Sequence, residues 1–364
     1  MRIVYVAWQG SEHTRRWAGF FAARGHEVHV VTCGAGEPGD ASPAYAVHDL
    51  RTSRFGKLGY LLRLRRARRL IRSLEPDVVH AHHATSYGLL AAVANVHPLV
   101  VSCHGSDILL SGRNRFIRPL LRRVLNAADL ITVPGPHVAD RAAELGGNRQ
   151  HIAVFQYGVE VDRLRSIRSA VVSDPQRREI RLVSARGLDA LYHTDEVLRA
   201  MAILRARGVE CVYDLAGRGS EADALRRLAD ELGIADRVTF HGHVPEGAAE
   251  QLIANADVFV SVPSSDGVSI ALLEAMALGA IPLVSDIPAN HLWIRDGVNG
   301  VIVQIAPHSI ADGVLRALEL DAAEIRQRNL ELVEARGDRQ TNLENSAALI
   351  AQLVGGDGDA LPAT

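Results

Sequence analysis

The 364-residue sequence is almost without lysine: of its 40 Lys+Arg residues, Lys57 is the single lysine. A cationic phosphate clamp anywhere else in the chain must be built from Arg or His. Cysteine is nearly as scarce. Cys33, Cys103 and Cys211 are too widely spaced for a disulfide framework or a metal knuckle, and they suit a reduced, cytoplasmic setting. No His/Cys/Asp cluster has metal-ligand spacing, no Ser–His–Asp arrangement stands out, and no GxSxG elbow occurs. Aromatic residues make up only 5% and are not interleaved with the basic ones, which argues against nucleic acid as a partner. There is no uncharged apolar run of about 18 residues, so no membrane-spanning helix is expected. The opening MRIVYVAW lacks the basic and apolar regions of a signal peptide and reads as a buried first strand.

The composition is otherwise that of a globular protein. It is 48% hydrophobic, and 364 residues suit two domains better than one. The charge is divided unevenly. Residues 1–165 hold 22 Lys+Arg against 13 Asp+Glu, and the remainder holds 18 against 29. A basic first half beside an acidic second half suggests a substrate or partner that meets the first.

Strand-like and helix-like segments alternate throughout. RIVYVAW, a helical HTRRWAGFFAARG and HEVHVVT form a βαβ unit. Further strands read at Asp77–His80, Leu99–Ser102, Leu130–Val133 and Ile152–Phe155. The stretch Asp162–Arg178 lacks clear periodicity and reads as a linker. The pattern then restarts with strands IRLVSA, CVYDLAG, RVTFHG, DVFVSV and IPLVS, and with helices at Thr194–Arg207, Glu221–Leu232, Ala248–Asn255 and Ile270–Leu278. This predicts two parallel-sheet α/β domains, each binding ligands at the C-terminal ends of its strands. Residues 321–354 read as helices packing back across both domains, and Gly355–Thr364 as a frayed tail.

The most informative segment is SSDGVSIALLEAMALGAIPLVSD. A strand runs into the polar turn Ser264–Gly267, and a helix is expected from near Val268. The amides of Gly267, Val268, Ser269 and Ile270 then suit a phosphate, since helix N-termini offer unpaired N–H groups and a favourable dipole. Glu274, one turn in, is placed to accept from a ribose diol. Asp266 stands where a sugar on the diphosphate would lie. A plain N-capping Asp before an amphipathic helix would give the same local pattern.

In these residues the chain resembles the retaining glycosyltransferases of family GT4, which have the GT-B fold. The family's Glu-x7-Glu stands here as Asp266-x7-Glu274, followed by Ala275, Met276, Ala277 and Gly279. Five more segments match in the family's order, among them VVSCHGSDI, AADLITVPGPHVAD with IAVFQYGVEVDRL, and DLAGRGSEADALRRLADELGIADRVTFHGHV. The resemblance implies two Rossmann-like domains facing a cleft. The acceptor side is residues 1–165 and the nucleotide-sugar donor side residues 179–320. It also implies roles. Glu274 binds the ribose, Asp266 and His104 hold the donor sugar, Arg186 clamps the diphosphate, and Gly10 lies in a loop that approaches phosphate or acceptor. Two departures stand out. Asp266 is one methylene shorter than the family's Glu, and the family's lysine after the Arg is missing, leaving His193 or Arg218 to replace it.

Gly217 and Gly219 of GRGSEA follow a strand and open a helix as a dinucleotide fingerprint would, but the final glycine and the later acid are absent. The resemblance assigns them to the donor nucleotide. Asp357-Gly358-Asp359, in the Gly-rich tail, is a poor candidate metal motif. The run Arg51–Arg72 reads equally as a solvated cationic face and as a peripheral contact with the inner face of a membrane, and Arg113–Arg123 adds a second basic patch. The implied activity is metal-independent transfer of a hexosyl or N-acetylhexosaminyl group, with retention and no cofactor. The donor is a nucleoside-diphosphate sugar, uridine first and guanosine second, and the acceptor a hydroxyl, with lipid-linked ones included. A nucleotide-sugar epimerase and a non-catalytic nucleotide-sugar-binding protein of the same fold remain as alternatives.

Overall fold

A computed structural model describes residues 1–34, 44–51, 56–171, 179–245 and 247–356, with the backbone alone at 56–61. The Asp357–Asp359 triplet, most of the tail, and parts of the linker and of the Arg51–Arg72 run lie outside the described residues. The chain forms two compact units, Met1–Tyr157 with Thr341–Thr364, and Gly158–Gln340.

The first unit is built on seven parallel strands. These are β1 (Arg2–Val6), β2 (Glu27–Thr32), β3 (Ala46–Asp49), β4 (Val78–His82), β5 (Leu99–Ser102), β6 (Leu130–Val133) and β7 (Ile152–Val154). Their order is β3-β2-β1-β4-β5-β6-β7. The central strands are continuous β-branched and aliphatic runs because helices bury both faces of the sheet. Tyr5 marks the reversal, in register with Val30 of β2 on one side and His80 of β4 on the other. The helix Arg339–Gly355 sends Leu343 and Ile350 into the cluster that holds Tyr5, Trp17 and Phe21. The helix Ala322–Arg336 belongs to the second unit, where it packs on Ile270–Leu278.

The second unit repeats the winding with six parallel strands. These are β8 (Ile180–Ser184), β9 (Cys211–Ala216), β10 (Val238–Gly242), β11 (Val258–Ser261), β12 (Ile281–Ser285) and β13 (Val301–Val303). Their order is β10-β9-β8-β11-β12-β13, so the reversal falls between β8 and β11. The helix Ile270–Leu278 is buried except at Ile270 and Glu274. Apolar on nearly every side, it can only be an interior helix. Glu274 is therefore the one charged side chain on it.

Two sequence expectations need correction. The stretch read as a linker from Asp162 contains a helix, Val161–Ser169. Val161, Leu164 and Ile167 pack against the Ile270–Leu278 cluster at helical spacing, which the intervening Arg and Ser residues obscured. The helix expected from Val268 begins at Ile270, because Ser269 keeps an extended backbone and caps it, its Oγ accepting from Leu272 N–H at 3.1 Å.

Candidate functional site

The loops that leave β8 and β11 flank the point where the strand order of the second unit reverses. In an open parallel sheet that crevice is where ligands bind. The first loop carries Arg186 and the second carries Ser264–Gly267, and the fold brings them together. One guanidinium nitrogen of Arg186 donates to Ser269 Oγ and the other to Asp266 Oδ2. The Arg186 and Asp266 side chains are only 12% and 17% exposed. The guanidinium carbon lies 4.8 Å from the centroid of the Tyr192 ring. Asp266 is fixed further by its Oδ1, which accepts from Gly267 N–H at 2.8 Å. The loop itself is tied down at both ends. Ser264 N–H donates to Leu191 O at 3.0 Å, and Ser285 Oγ to Pro263 O at 2.6 Å.

The two glycines of GRGSEA explain how Arg186 reaches this place. A Cβ on Gly217 would lie 1.9 Å from the carbonyl oxygen of Arg186, and one on Gly219 would lie 2.2 Å from the Leu188 carbonyl. Their bare backbones let the 186–188 segment lie against them. The contact is locked by Leu188 N–H to Arg218 O, and by Ser220 N–H and Oγ to Asp189 Oδ1 at 2.8 Å each. Those two bonds hold the Asp189 carboxyl below its ordinary range. The Arg218 side chain is exposed, so what the structure shows of that residue is a backbone contact. His193 ends the turn Ala190–Tyr192 with φ of 48° and caps the helix Thr194–Ala206. Its Nε2 is buried without a partner. A non-glycine residue in the left-handed region carries strain that such sites often hold. The structure thus joins Arg186, Asp266, Gly267 and Ser269 directly, with Val268 and Ile270 adjacent in the chain, Glu274 half-buried one turn into the helix, and His193 next to Tyr192. The helix dipole supplies partial positive charge at the amides of Ile270 and Ala271.

Gly10 and His104 belong to the other unit. Gly10 follows β1, and a Cβ there would meet the Trp8 ring at 2.5 Å. His104 follows β5 in an aromatic stack. Its ring centroid lies 4.0 Å from that of His83 and 5.0 Å from that of Tyr157, and His13 lies 4.5 Å from Tyr157. Tyr157 OH is 3.3 Å from His104 Nε2. Beneath the stack, His80 Nε2 is 2.7 Å from Ser102 Oγ. The buried carboxylate of Asp107 accepts from the amides of Ala84, His104 and Gly105 at 2.7–3.0 Å. It ties the loops after β4 and β5 to each other. Burial pushes the His104 and His82 imidazoles well below the usual histidine range, helped by the neighbouring histidines, and pushes His80 down to about 3. These rings are neutral near pH 7 and act as hydrogen-bonding aromatics rather than cations.

The matches to known proteins agree with this geometry. Residues 2–134 match the model of the "Glycosyl transferase 4-like" domain, and residues 169–331 that of "Glycosyl transferases group 1". The chain belongs to glycosyltransferase family GT4. Among curated GT4 relatives, D-inositol 3-phosphate glycosyltransferase of Mycolicibacterium smegmatis is 31% identical over 70% of this chain and 62% of its own length. The GtfA subunit of the UDP-N-acetylglucosamine–peptide N-acetylglucosaminyltransferase of Streptococcus gordonii is 26% identical over 46% of this chain. The alignments with these two span 33% to 62% of the relatives' lengths. Among solved structures, Anabaena HepE in complex with UDP has a TM-score of 0.77 at 18% identity, over 97% of this chain and 100% of its own. The sucrose-phosphate synthase of Thermosynechococcus elongatus reaches 0.81 at 15%, over 98% and 100%. At such identities these structures establish the GT-B fold.

Several rim residues of this GT4 chain were not singled out in the sequence: His13, His83, Asp107 and Tyr157. The histidines stand in plain view in HAHHATS and the first helix, but only the strand order shows that they face one rim. Among the described residues no group of three or more His, Cys, Asp or Glu is arranged to hold a metal ion, and no helix is long and apolar enough to cross a membrane.

Proposed function

We propose that this protein transfers a sugar from a nucleoside-diphosphate sugar to a hydroxyl acceptor, with retention at the anomeric carbon. UDP is the favoured nucleotide. The observation that carries this reading is Arg186, held at the switch point beside Ser269 and the amides that open the Ile270–Leu278 helix. A guanidinium next to a helix N-terminus suits a diphosphate in both charge and geometry. When the donor binds, the diphosphate takes over from Asp266 on Arg186 and frees that carboxylate for the sugar. Glu274 accepts from the ribose diol. In the transition state Arg186 and the amides stabilise the departing diphosphate, and its oxygen can itself receive the acceptor's proton. These groups supply the electrostatics without calling on a metal. His193, with its buried Nε2, takes the place of the family's lysine. UDP is favoured because HepE holds it and the GtfA name contains it. GDP is second, since the name of a mycobacterial relative, 28% identical, contains GDP-mannose.

Support for a lipid-linked acceptor comes from the first unit. The helices Gly56–Ser73 and Arg118–Ala127 both flank the helix Ser86–Ala92 and share one core cluster. Their outer faces expose Arg65, Arg66, Arg68, Arg69, Arg118, Arg122 and Arg123, with Leu120 (47% exposed) among them and Phe116 (76%) in the turn before the second helix. Cationic faces with exposed apolar side chains suit an anionic membrane surface. Charge reversal across Arg63–Arg69 should abolish sedimentation with anionic liposomes. A parent protein that never sediments with them contradicts the membrane reading.

The direct test is a thermal-shift panel of nucleotide sugars followed by transfer assays with the donor that binds. Stabilisation by one native donor and product with retained configuration support the proposal. Donor epimerised without acceptor, or donor bound with neither transfer nor slow hydrolysis, contradicts it.

A further inference from the structure

The second unit has a cavity at the opposite ends of its strands from the Arg186 rim. The starts of β8, β11 and β12 enclose about 400 Å³, within the usual size of small-molecule sites. Arg168, Arg181 and Arg326 line it, from three different elements. Arg168 donates to Ala254 O at 2.7 Å. Arg181 is 3.2 Å from Glu179, and its Nε is buried without a partner, as is that of Arg326. The lining carboxylate, Asp257, accepts from the backbone N–H of Arg181 at 2.8 Å. Of the three guanidinium groups, that of Arg181 pairs with Glu179. Burial and the nearby Arg326 hold the Arg168 guanidinium below its ordinary range. Grouped, half-buried cations cost free energy unless an anion joins them. Apart from Asn255, the rest of the wall is apolar, with Ile281 and Leu318.

We propose that this cavity binds a small phosphomonoester. Its phosphate lies between Arg168, Arg181 and Arg326, and its organic body lies against the apolar wall. Arginine forks suit a phosphate dianion in both charge and geometry. The volume exceeds what an inorganic phosphate fills. The site is tied to the donor rim by one element. The Ile270–Leu278 helix, about 13 Å long, begins at Ser269 and ends at Gly279, where a Cβ would meet Arg326 Nε at 2.5 Å.

Calorimetry on the full chain tests this with a hexose 6-phosphate, inorganic phosphate and the free hexose, each with and without saturating UDP. The hexose phosphate should bind equally well in both conditions and at least tenfold more tightly than inorganic phosphate. The free hexose should not bind. Hydrogen exchange should slow at residues 254–258 and 279–282. The double variant Arg168→Gln/Arg326→Gln should weaken binding at least tenfold, and Arg227→Gln, on an exposed face, should not. No heat at millimolar ligand, competition with UDP, equal affinity for inorganic phosphate, or unchanged affinity in the double variant overturns the proposal. If the double variant does not fold, UDP competition and exchange on the parent protein decide. UDP binding is read in the same titrations, so failure here is distinct from failure of the donor assignment.

Discussion

The two units wind alike and differ at their rims. Each is a parallel sheet that reverses beside its first strand, and each holds a left-handed histidine near the reversal, His83 in one and His193 in the other. Around His83 the side chains are neutral, stacked rings resting on a buried carboxylate that holds backbone amides. In the other unit Arg186, over the ring of Tyr192 next to His193, forms a charged clamp with Asp266 and Ser269 at a helix N-terminus. One way of winding a parallel sheet thus carries a rim of stacked rings in one unit and a rim with a charged pair in the other, set by the loops that leave the strands. The difference also predicts which substitutions each rim tolerates.

The largest contrast should come from glycine. Gly217→Ala drives a Cβ into the Arg186 carbonyl, a backbone atom with nowhere to go. Displacing that segment should cost about 1–3 kcal/mol of stability and lower transfer by roughly 10²-fold or more, the scale of losing one transition-state donor. Gly10→Ala meets the Trp8 ring, which is 50% exposed and can swing aside, so its melting temperature should barely move. Equal losses in calorimetric melts and transfer assays would remove the contrast.

Glu274→Ala should raise the donor KM by about 10- to 150-fold, the equivalent of one charge-assisted hydrogen bond of roughly 1.5–3 kcal/mol. An unchanged KM excludes the ribose role. Asp266→Asn separates binding from transfer. Removing the carboxylate that competes for Arg186 should tighten UDP binding a few-fold while transfer falls. Weaker UDP binding would mean that Asp266 orients Arg186 rather than competing with the diphosphate.

The smallest effect is in pH. His80, His82 and His104 are held neutral in the folded first unit, while in the unfolded chain they protonate below about 6.5. Their folded pKa values are depressed, so the stability they confer is complete above about pH 6.5. It is lost as the pH falls towards the folded values, by at most about 1.4 kcal/mol per pH unit for each ring. Hydrogen exchange between pH 7 and 5 should show β4 and β5 losing protection before β8 and β11. The reverse order would contradict the neutral-histidine account.

Much of this was legible in the sequence. Leu99–Ser102 and Leu130–Val133 are observed with the expected bounds, and the Ile270–Leu278 helix departs from its reading only in its first turn, because apolar runs between polar turns leave little choice. The edge strands β3 and β13 were not read, being short and, for AVHD, half exposed. The acid and helix of Asp266–Glu274 were plain, as was Arg186. Their contact was not, since 80 residues separate Arg186 from Asp266 and only the pairing of β8 with β11 joins their loops. The packing use of Gly217 and Gly219 was equally hidden, because it depends on where another loop runs.

The central claim is that the Arg186 rim receives the diphosphate. Titrating UDP into the parent protein and into Arg186→Gln, with folding checked by circular dichroism, tests it most directly. The parent should bind UDP and the folded variant should bind it at least tenfold more weakly. Equal affinity in the two proteins, or no binding of any nucleoside diphosphate by the parent, would contradict the claim.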